Sequence, residues 1–171
     1  MEYVILVDEH DNEIGTMEKM EAHQQGFLHR AFSVLIFNSK GELLLQKRAQ
    51  SKYHSGGLWT NTCCSHPHPE ETIFQAAQRK LKQEMGIDLQ TDFVFKFTYK
   101  ISLENHLIEH EVDHVLIGYY DGQPILNPVE AEDWKFEKPE LVKNDMLINP
   151  DKYTYWFKVI LNHPEMISIS A

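Results

Sequence analysis

Two carboxylates are the first candidates for chemistry in this sequence. Glu109 and Glu111 are one residue apart, so on an extended strand both side chains point to the same face. Two carboxylates on one face repel each other unless a cation or a proton lies between them. The alternative is a solvated edge strand. The apolar run Val115-Leu116-Ile117 follows directly and weakens that alternative.

Three histidines are candidate partners for these carboxylates. His23 and His29 flank a short loop, and His66 follows an extended segment. Imidazole combined with carboxylate suits Zn, Mn or Fe better than Mg alone, and three histidines with two glutamates would make an octahedral shell. A single histidine is more often a surface or core residue than a ligand. The spacing of the histidines is therefore weak evidence by itself.

The two cysteines, Cys63 and Cys64, are adjacent and close to His66. Neighbouring cysteines rarely form a disulfide because the ring is strained, and a free cysteine is usually a small buried residue. A nearby metal would stabilise the thiolate, the form that accepts a proton. Side chains alternate along an extended segment, which predicts that Cys64 shares a face with His66 and that Cys63 shares the opposite face with Ser65.

Hydrophobic periodicity predicts the elements that must position these groups. Residues 72–85 are predicted to be a helix, with an apolar stripe and Gly86 at the C-terminal cap. A second helix is predicted at 153–161. The predicted strands or extended segments are 3–7, 31–37, 42–46, 59–65, 93–101, 109–119 and 129–136. The pattern indicates one α+β domain over residues 1–171, an α/β/α layered fold whose mixed β-sheet is flanked by two or three helices.

Composition limits the partners. The formal net charge of −10 makes the chain a poor binder of nucleic acid or anionic membrane, so an anionic ligand would need a local cluster of basic residues or a cation. No apolar run reaches the length that crosses a bilayer. With no signal peptide and no disulfide framework, a cytoplasmic location is expected. The oligomeric state stays open. The candidate basic residues are Lys19, Arg48, Lys52 and Lys80.

The end of the predicted helix resembles the Nudix box, in which a helix presents carboxylates to Mg²⁺ bound to a diphosphate. The matching residues are Glu71, Arg79, Glu84, Gly86 and Ile87. Lys80 and Gln83 stand where the box has two of its glutamates. Nudix hydrolases use that carboxylate cluster to hold several metals and activate water. A site that keeps one of these carboxylates can anchor Mg²⁺ on a diphosphate but is poorly equipped to hydrolyse it.

Two further segments carry a more specific resemblance. The sequences Asn-Thr-Cys-Cys-Ser-His-Pro at 61–67 and Glu-His-Glu-Val-Asp at 109–113 resemble the type I isopentenyl-diphosphate isomerases of the Nudix superfamily. The resemblance runs from about Val4 to Phe157. It implies a metal-dependent isomerisation of isopentenyl diphosphate to dimethylallyl diphosphate through a tertiary carbocation.

The resemblance also implies two metal sites. One divalent ion, Zn²⁺, Mn²⁺ or Mg²⁺, would be bound by His23, His29, His66, Glu109 and Glu111. A second ion, Mg²⁺, would bridge to the diphosphate and would be bound by Glu84 and the backbone carbonyl of Cys64.

The remaining implied roles concern the substrate. Diphosphate oxygens would be contacted by Lys19, Arg48, Lys52 and Lys80. Glu111 would be the acid, Cys64 the base as a thiolate, and Tyr99 would lie beside Glu111. Trp156 would face the isoprenoid carbons, since an indole face stabilises a cation. Two alternatives are a Nudix-type diphosphate hydrolase and a non-catalytic metal-dependent binding domain.

Overall fold

The protein folds into one mixed sheet with helices on both of its faces. A computed structural model describes residues 1–170, and within them nine strands belong to a single sheet. The strands are β1 (Tyr3–Val7), β2 (Glu13–Glu18), β3 (His29–Phe37), β4 (Leu43–Arg48), β5 (Trp59–Thr60), β6 (Cys63–Ser65), β7 (Asp92–Ser102), β8 (Ile108–Tyr119) and β9 (Ala131–Glu137). The helices are α1 (Lys19–Gln25), α2 (Ile73–Met85), α3 (Pro139–Ile148), α4 (Tyr155–Leu161) and α5 (Pro164–Ser170).

The centre of the sheet is a parallel pair, β3 and β8. Its register places His29 opposite Glu111 and Val34 opposite Leu116. The other strand pairings within the described residues are antiparallel, with β7 on the outer side of β8 and β6 on β3. The mixed sheet and the flanking helices confirm the predicted α+β class.

Alternation along β3 builds the two core layers. Val34 and Ile36 pack with Cys63 and the apolar face of α2. Leu35 and Phe37 point the other way and pack with buried residues of α3, α4 and α5. Because successive side chains of a strand point to opposite faces, one apolar strand supplies both cores. The result is the α/β/α layering that the sequence predicts.

Helix α2 is fixed at both ends by local chemistry. The Thr72 side chain accepts from the backbone of Gln75, whose side chain accepts from the backbone of Thr72 in return. Gly86 ends the helix at φ 67°, a left-handed conformation that glycine adopts without strain. These caps set the helical register. Lys80 and Glu84, four residues apart, therefore lie on the same buried face.

The predicted extended segment 59–65 is two short strands, with a break at Asn61 and Thr62. Both side chains are buried. They hydrogen-bond to backbone groups in place of the bonds that a continuous strand would make. The Thr62 hydroxyl donates to the Leu44 carbonyl at 2.6 Å, and the Asn61 amide donates to the carbonyl groups of Val34 and Cys63. Satisfying backbone groups from a side chain lets the chain bend here without leaving buried polar atoms unpaired.

The prediction of two or three helices was wrong, because five α-helices occur in residues 1–170. Helices α1 and α5 have only seven residues each, too few for a helical period to stand out. The helix predicted at 153–161 begins at Tyr155, since Thr154 is its N-cap. None of the helices in the described part of the chain is long and apolar enough to span a membrane.

Candidate active site

Four separate elements bring five candidate metal ligands together. His23 comes from α1, His29 from the start of β3, His66 from the residue after β6, and Glu109 and Glu111 from β8. One ligand atom of each residue lies within 4.8 Å of the others. We call these five residues the His/Glu cluster. The parallel β3–β8 pairing places His29 beside Glu111.

Backbone hydrogen bonds orient two of the histidines. Nδ1 of His23 donates to the Lys19 carbonyl at 2.6 Å, and Nδ1 of His29 donates to the Phe27 carbonyl at 2.8 Å. With Nδ1 bonded to the backbone, Nε2 is the nitrogen of each ring that faces the glutamates. A metal-binding histidine is typically held in this way by its other ring nitrogen.

Unpartnered polar atoms test whether a metal ion fits the cluster. Nε2 of His23 and Oε2 of Glu109 are buried and have no hydrogen-bond partner within the described residues. An unsatisfied buried donor or acceptor costs about 1–3 kcal/mol. A divalent cation among three imidazoles and two carboxylates would satisfy both atoms, and this ligand set is one that Zn, Mn or Fe favours. The residues present therefore fit a divalent metal.

Burial and neighbouring charges act in opposite directions on the pKa values of the His/Glu cluster. Burial raises the pKa of Glu111, but His29 and His66 outweigh it and hold that pKa well below its usual range. Burial lowers the pKa of His66 to about 4, against the effect of Glu111. Burial also lowers the pKa of His23, but Glu109 and Glu111 reverse the effect and raise it to about 9. The metal-free cluster thus holds a proton on His23 that a metal ligand would release.

The other predicted site residues converge on one open cavity beside this cluster. It contains about 570 Å³ of empty space, part of it open to solvent. Such a volume suits a small molecule. Apart from His23 and His29, which lie behind it in the His/Glu cluster, all predicted site residues line it: Lys19, Arg48, Lys52, Cys64, His66, Lys80, Glu84, Tyr99, Glu109, Glu111 and Trp156.

The two cysteines lie on opposite sides of β6, as the alternation predicts. Cys63 is fully buried in the core beneath α2, whereas Cys64 lines the cavity with His66. Burial raises the pKa of the Cys64 thiol to about 12, and Arg48 opposes that rise. The thiolate predicted for Cys64 is therefore not the resting form here. Additional positive charge is needed to produce it.

Glu111 uses its two oxygens for different partners. Oε2 lies 3.1 Å from Nε2 of His29 and 2.8 Å from Nε2 of His66, on the side of the cluster. Oε1 accepts a 2.6 Å hydrogen bond from the Tyr99 hydroxyl. Burial and Glu111 raise the pKa of Tyr99 well above its usual value, so this hydroxyl keeps its proton. One carboxylate can therefore face a metal and a proton relay at once.

The predicted diphosphate-binding lysines are all paired with carboxylates. Lys19 lies 2.5 Å from Glu2, Lys52 lies 2.6 Å from Glu130, and Lys80 lies 3.2 Å from Glu84. A polyanion entering the cavity would have to compete with these partners.

Arg48 differs from the lysines. Its guanidinium is nearly buried, stacks 5.4 Å from the Trp156 ring and donates one hydrogen bond to the His54 carbonyl. Its Nε has no hydrogen-bond partner among residues 1–170. A buried guanidinium with a free donor is suited to binding an anion.

Several cavity residues were not predicted from the sequence. The ionisable or aromatic ones with polar groups among them are Glu2, Tyr53, His54 and Glu130. Tyr53 and His54 directly follow Lys52, so a cluster of polar aromatic residues before Ser55-Gly56-Gly57 was the available signal. Glu2 and Glu130 gave none, because their pairing with Lys19 and Lys52 spans distant parts of the chain.

The fold and the site define a class of protein. Residues 27–157 match the family model described as NUDIX domain. The solved structure of the DR0079 protein from Deinococcus radiodurans has a TM-score of 0.79 to this chain, covering 94% of it and 97% of that chain. At 18% identity this likeness shows the fold alone. The protein is of the Nudix class, with a buried His/Glu cluster that fits a divalent metal.

Sequence relatives narrow the class. Isopentenyl-diphosphate Delta-isomerase 1 of Aromatoleum aromaticum is 54% identical over 159 residues, covering 93% of this chain and 90% of the relative. Isopentenyl-diphosphate Delta-isomerase 2 of Photorhabdus laumondii is 53% identical over 163 residues, covering 94% and 91%. The chain therefore belongs to the isopentenyl-diphosphate Delta-isomerase family, which confirms the resemblance found at 61–67 and 109–113.

Proposed function

We propose that this protein isomerises isopentenyl diphosphate to dimethylallyl diphosphate in the cavity lined by Cys64 and Glu111. The observation that carries the proposal is that three features lie in or beside one cavity. A thiol and a carboxylate line one cavity, a buried cluster that fits a divalent metal adjoins it, and cationic side chains line it as well. The relatives named as isopentenyl-diphosphate isomerases support the same reaction.

The reaction moves a double bond by one carbon. One group protonates the terminal alkene carbon, which leaves a tertiary cation, and another group removes a proton from the carbon nearer the diphosphate. We assign the proton addition to Glu111 with Tyr99 as its relay, because the Tyr99 hydroxyl bonds the glutamate oxygen that faces away from the histidines. We assign the proton removal to Cys64. Arg48 favours its thiolate, although burial opposes that form.

Trp156 is assigned to the intermediate cation. Its ring is 3% exposed and lines the cavity. The negative π face of an indole attracts a cation by about 2 kcal/mol or more when water is excluded. In the structure the guanidinium of Arg48 lies over this ring, 5.4 Å from its centroid, which is the geometry of a cation–π contact. An unactivated alkene is a weak base, so stabilising the cation is the part of the reaction that most needs the protein.

The diphosphate is assigned to Arg48, Lys19, Lys52 and Lys80. Binding would exchange the carboxylate partners of the three lysines for phosphate oxygens. Glu84, released from Lys80, would then hold Mg²⁺ together with the Cys64 carbonyl. We propose Zn²⁺, Mn²⁺ or Mg²⁺ for the His/Glu cluster and Mg²⁺ for the diphosphate. When bound, these cations would supply positive charge that neutralises the diphosphate and favours the thiolate of Cys64.

Helix α2 favours isomerisation over hydrolysis. Lys80 is buried at the cavity, and Gln83 is exposed, at two positions where the Nudix box has glutamates. Glu84 is the carboxylate of the box that lines the cavity. A hydrolase needs several carboxylates there to hold the metals that activate water. A lysine in the same place would bind the diphosphate and leave it intact.

Phosphorus and proton NMR distinguish the two reactions. The protein is incubated with isopentenyl diphosphate, Mg²⁺ and Zn²⁺ or Mn²⁺, and in parallel with nucleoside diphosphates. We expect dimethylallyl diphosphate to form while both phosphorus signals of the diphosphate persist. Orthophosphate release from either substrate without allylic product would identify a diphosphate hydrolase and overturn the proposal. Binding of metal with no turnover of either substrate would favour a binding domain.

A further inference from the structure

His54 lies on the segment between β4 and β5 and touches one of the candidate metal ligands. Its side chain is 2% exposed. Nε2 of His54 lies 2.5 Å from Oε1 of Glu109, nearer than Nε2 of His23, which lies 3.3 Å from the same oxygen. The other oxygen of Glu109, Oε2, is buried and has no hydrogen-bond partner in the described part of the chain.

His54 stands outside the His/Glu cluster that would surround a metal. The five ligand atoms of that cluster lie within 4.8 Å of one another, and His54 is not among them. Its ring centroid is 6.2 Å from that of His23. Nε2 of His54 makes no hydrogen bond of acceptable geometry within the described residues, so its 2.5 Å approach to Oε1 of Glu109 is a close contact between imidazole and carboxylate. On the other side of the ring, Nδ1 lies 3.1 Å from the Ser55 hydroxyl.

The surroundings of His54 hold it in place. Arg48 donates to its carbonyl at 3.1 Å, and the backbone N–H of Ser55 donates to Glu104. Ser55 has a φ of 54°, a left-handed conformation that turns the chain at this point. The His54 ring meets Trp156 edge-on at 5.7 Å between centroids. A side chain confined on all these sides can direct a neighbour rather than follow it.

We propose that His54 is a positioning residue of the metal centre. It holds Oε1 of Glu109 and thereby turns Oε2 toward the ion bound by the cluster. The inference rests on the metal centre of the proposed function and adds a residue to it. Groups that bind a metal are commonly fixed by a partner outside the coordination sphere, and loss of such a partner costs about 10–100-fold in metal affinity.

Cobalt(II) titration of the metal-free protein tests this role without measuring turnover. Its absorption spectrum reports both affinity and the atoms bound to the ion. His54→Ala should weaken cobalt binding by about 10–100-fold while keeping the wild-type spectrum at saturation. His54→Gln should retain most of the affinity, since the glutamine amide nitrogen can occupy the place of Nε2. His54→Asn, whose amide reaches only the place of Nδ1, should resemble His54→Ala.

His10→Ala is the matched control, because His10 is exposed and contacts only Glu9 among the ion pairs of the described residues. Thermal melting of each metal-free variant establishes that it is folded. Unchanged cobalt affinity in His54→Ala, or equal affinities in the Gln and Asn variants, would overturn the inference. A different spectrum at saturation would make His54 a metal ligand and also overturn it. No cobalt binding by the wild-type protein would instead refute the metal centre itself.

Discussion

Two groups of charged and imidazole side chains each include residues of both β3 and β8, and the groups differ in how many of their polar atoms have hydrogen-bond partners. The first is the His/Glu cluster. The second, which we call the Asp11 cluster, joins Asp11 to Arg30, Lys96 and His114. Asp11 Oδ1 lies 3.0 Å from Nε of Arg30, and Oδ2 lies 2.8 Å from Nε2 of His114 and 3.2 Å from Lys96. His114 also donates from Nδ1 to the Ala31 carbonyl.

The comparison separates structural from functional use of the same residue types. Every oxygen of the Asp11 carboxylate has a partner, and its cations outweigh burial to lower its pKa. In the His/Glu cluster, Nε2 of His23 and Oε2 of Glu109 have no hydrogen-bond partner within residues 1–170. A satisfied network stabilises the fold by itself, whereas an unsatisfied one needs a ligand to complete it. Changes at the His/Glu cluster and its cavity should therefore lower activity more than stability. Changes in the Asp11 cluster should lower stability more than activity.

The largest expected effect of a substitution concerns Cys64, which lines the cavity together with His66. Cys64→Ala should lower turnover by about 10²–10⁴-fold, the usual contribution of a positioned proton-transfer group, with little change in the melting temperature. Cys64→Ser should also be poor, because an alcohol is a far weaker acid than a thiol. Steady-state kinetics with isopentenyl diphosphate measures both.

Cys63→Ala is the matched control, since Cys63 packs beneath α2 instead of facing the cavity. It should keep most turnover and cost about 1 kcal/mol of stability. Near-normal turnover in Cys64→Ala, or selective inactivation in Cys63→Ala, would reverse the assignment.

Metal removal should act on one cluster and not the other. Chelation should abolish activity, and saturating the His/Glu cluster again should raise stability, by about 2.7 kcal/mol at a metal concentration 100 times Kd. The diphosphate Mg²⁺ should exchange more readily, because Mg²⁺ keeps several waters and few protein ligands. Activity and thermal melting followed during metal titration measure these effects. Full activity after exhaustive chelation would contradict the account.

Trp156 lines the cavity and can be tested with two substitutions that remove different amounts of its ring. Trp156→Phe should retain more turnover than Trp156→Ala, because a phenyl ring keeps a weaker π face. Removing the whole ring should cost about 30-fold in rate, the equivalent of roughly 2 kcal/mol. Kinetics is compared at matched folded fraction, established by circular dichroism. Equal losses in the two folded variants would mean that Trp156 serves only as packing.

The Asp11 cluster should give the smallest effect on activity and a defined dependence of stability on pH. Because the folded pKa of Asp11 is lowered, its contribution is present above the ordinary value of about 4 and is lost as pH falls through the folded pKa. Asp11→Asn should therefore destabilise the protein by about 1–3 kcal/mol at pH 7 and by less at lower pH. Urea unfolding at several pH values measures this. A destabilisation that grows toward low pH, or a large loss of turnover, would contradict a structural role.

Much of the fold was predictable because it depends on local pattern. The helix 72–85 and the strands 3–7 and 109–119 follow from short-range periodicity and from caps. Helix α1 was missed because it is short, although it carries His23. The Asp11–His114 contact joins residues 103 positions apart, and nothing local indicates it.

The site was predictable in part. Alternation placed Glu109 and Glu111 on one face and separated Cys63 from Cys64. The roles of Lys19, Arg48 and Trp156 came from family resemblance, since isolated basic and aromatic residues have no pattern of their own. His54 was missed because its partner Glu109 is brought to it by tertiary packing.

Proton NMR in heavy water tests the central claim most directly. The protein is incubated with isopentenyl diphosphate and its divalent metals in deuterium oxide, and the product is followed over time. If the cavity adds a solvent-derived proton to the terminal alkene carbon, deuterium will appear in a methyl group of dimethylallyl diphosphate. The deuterated product should be nearly absent with Cys64→Ala and present with Cys63→Ala. Absence of dimethylallyl diphosphate, or its formation by the wild-type protein without deuterium in the methyl group, would contradict the account.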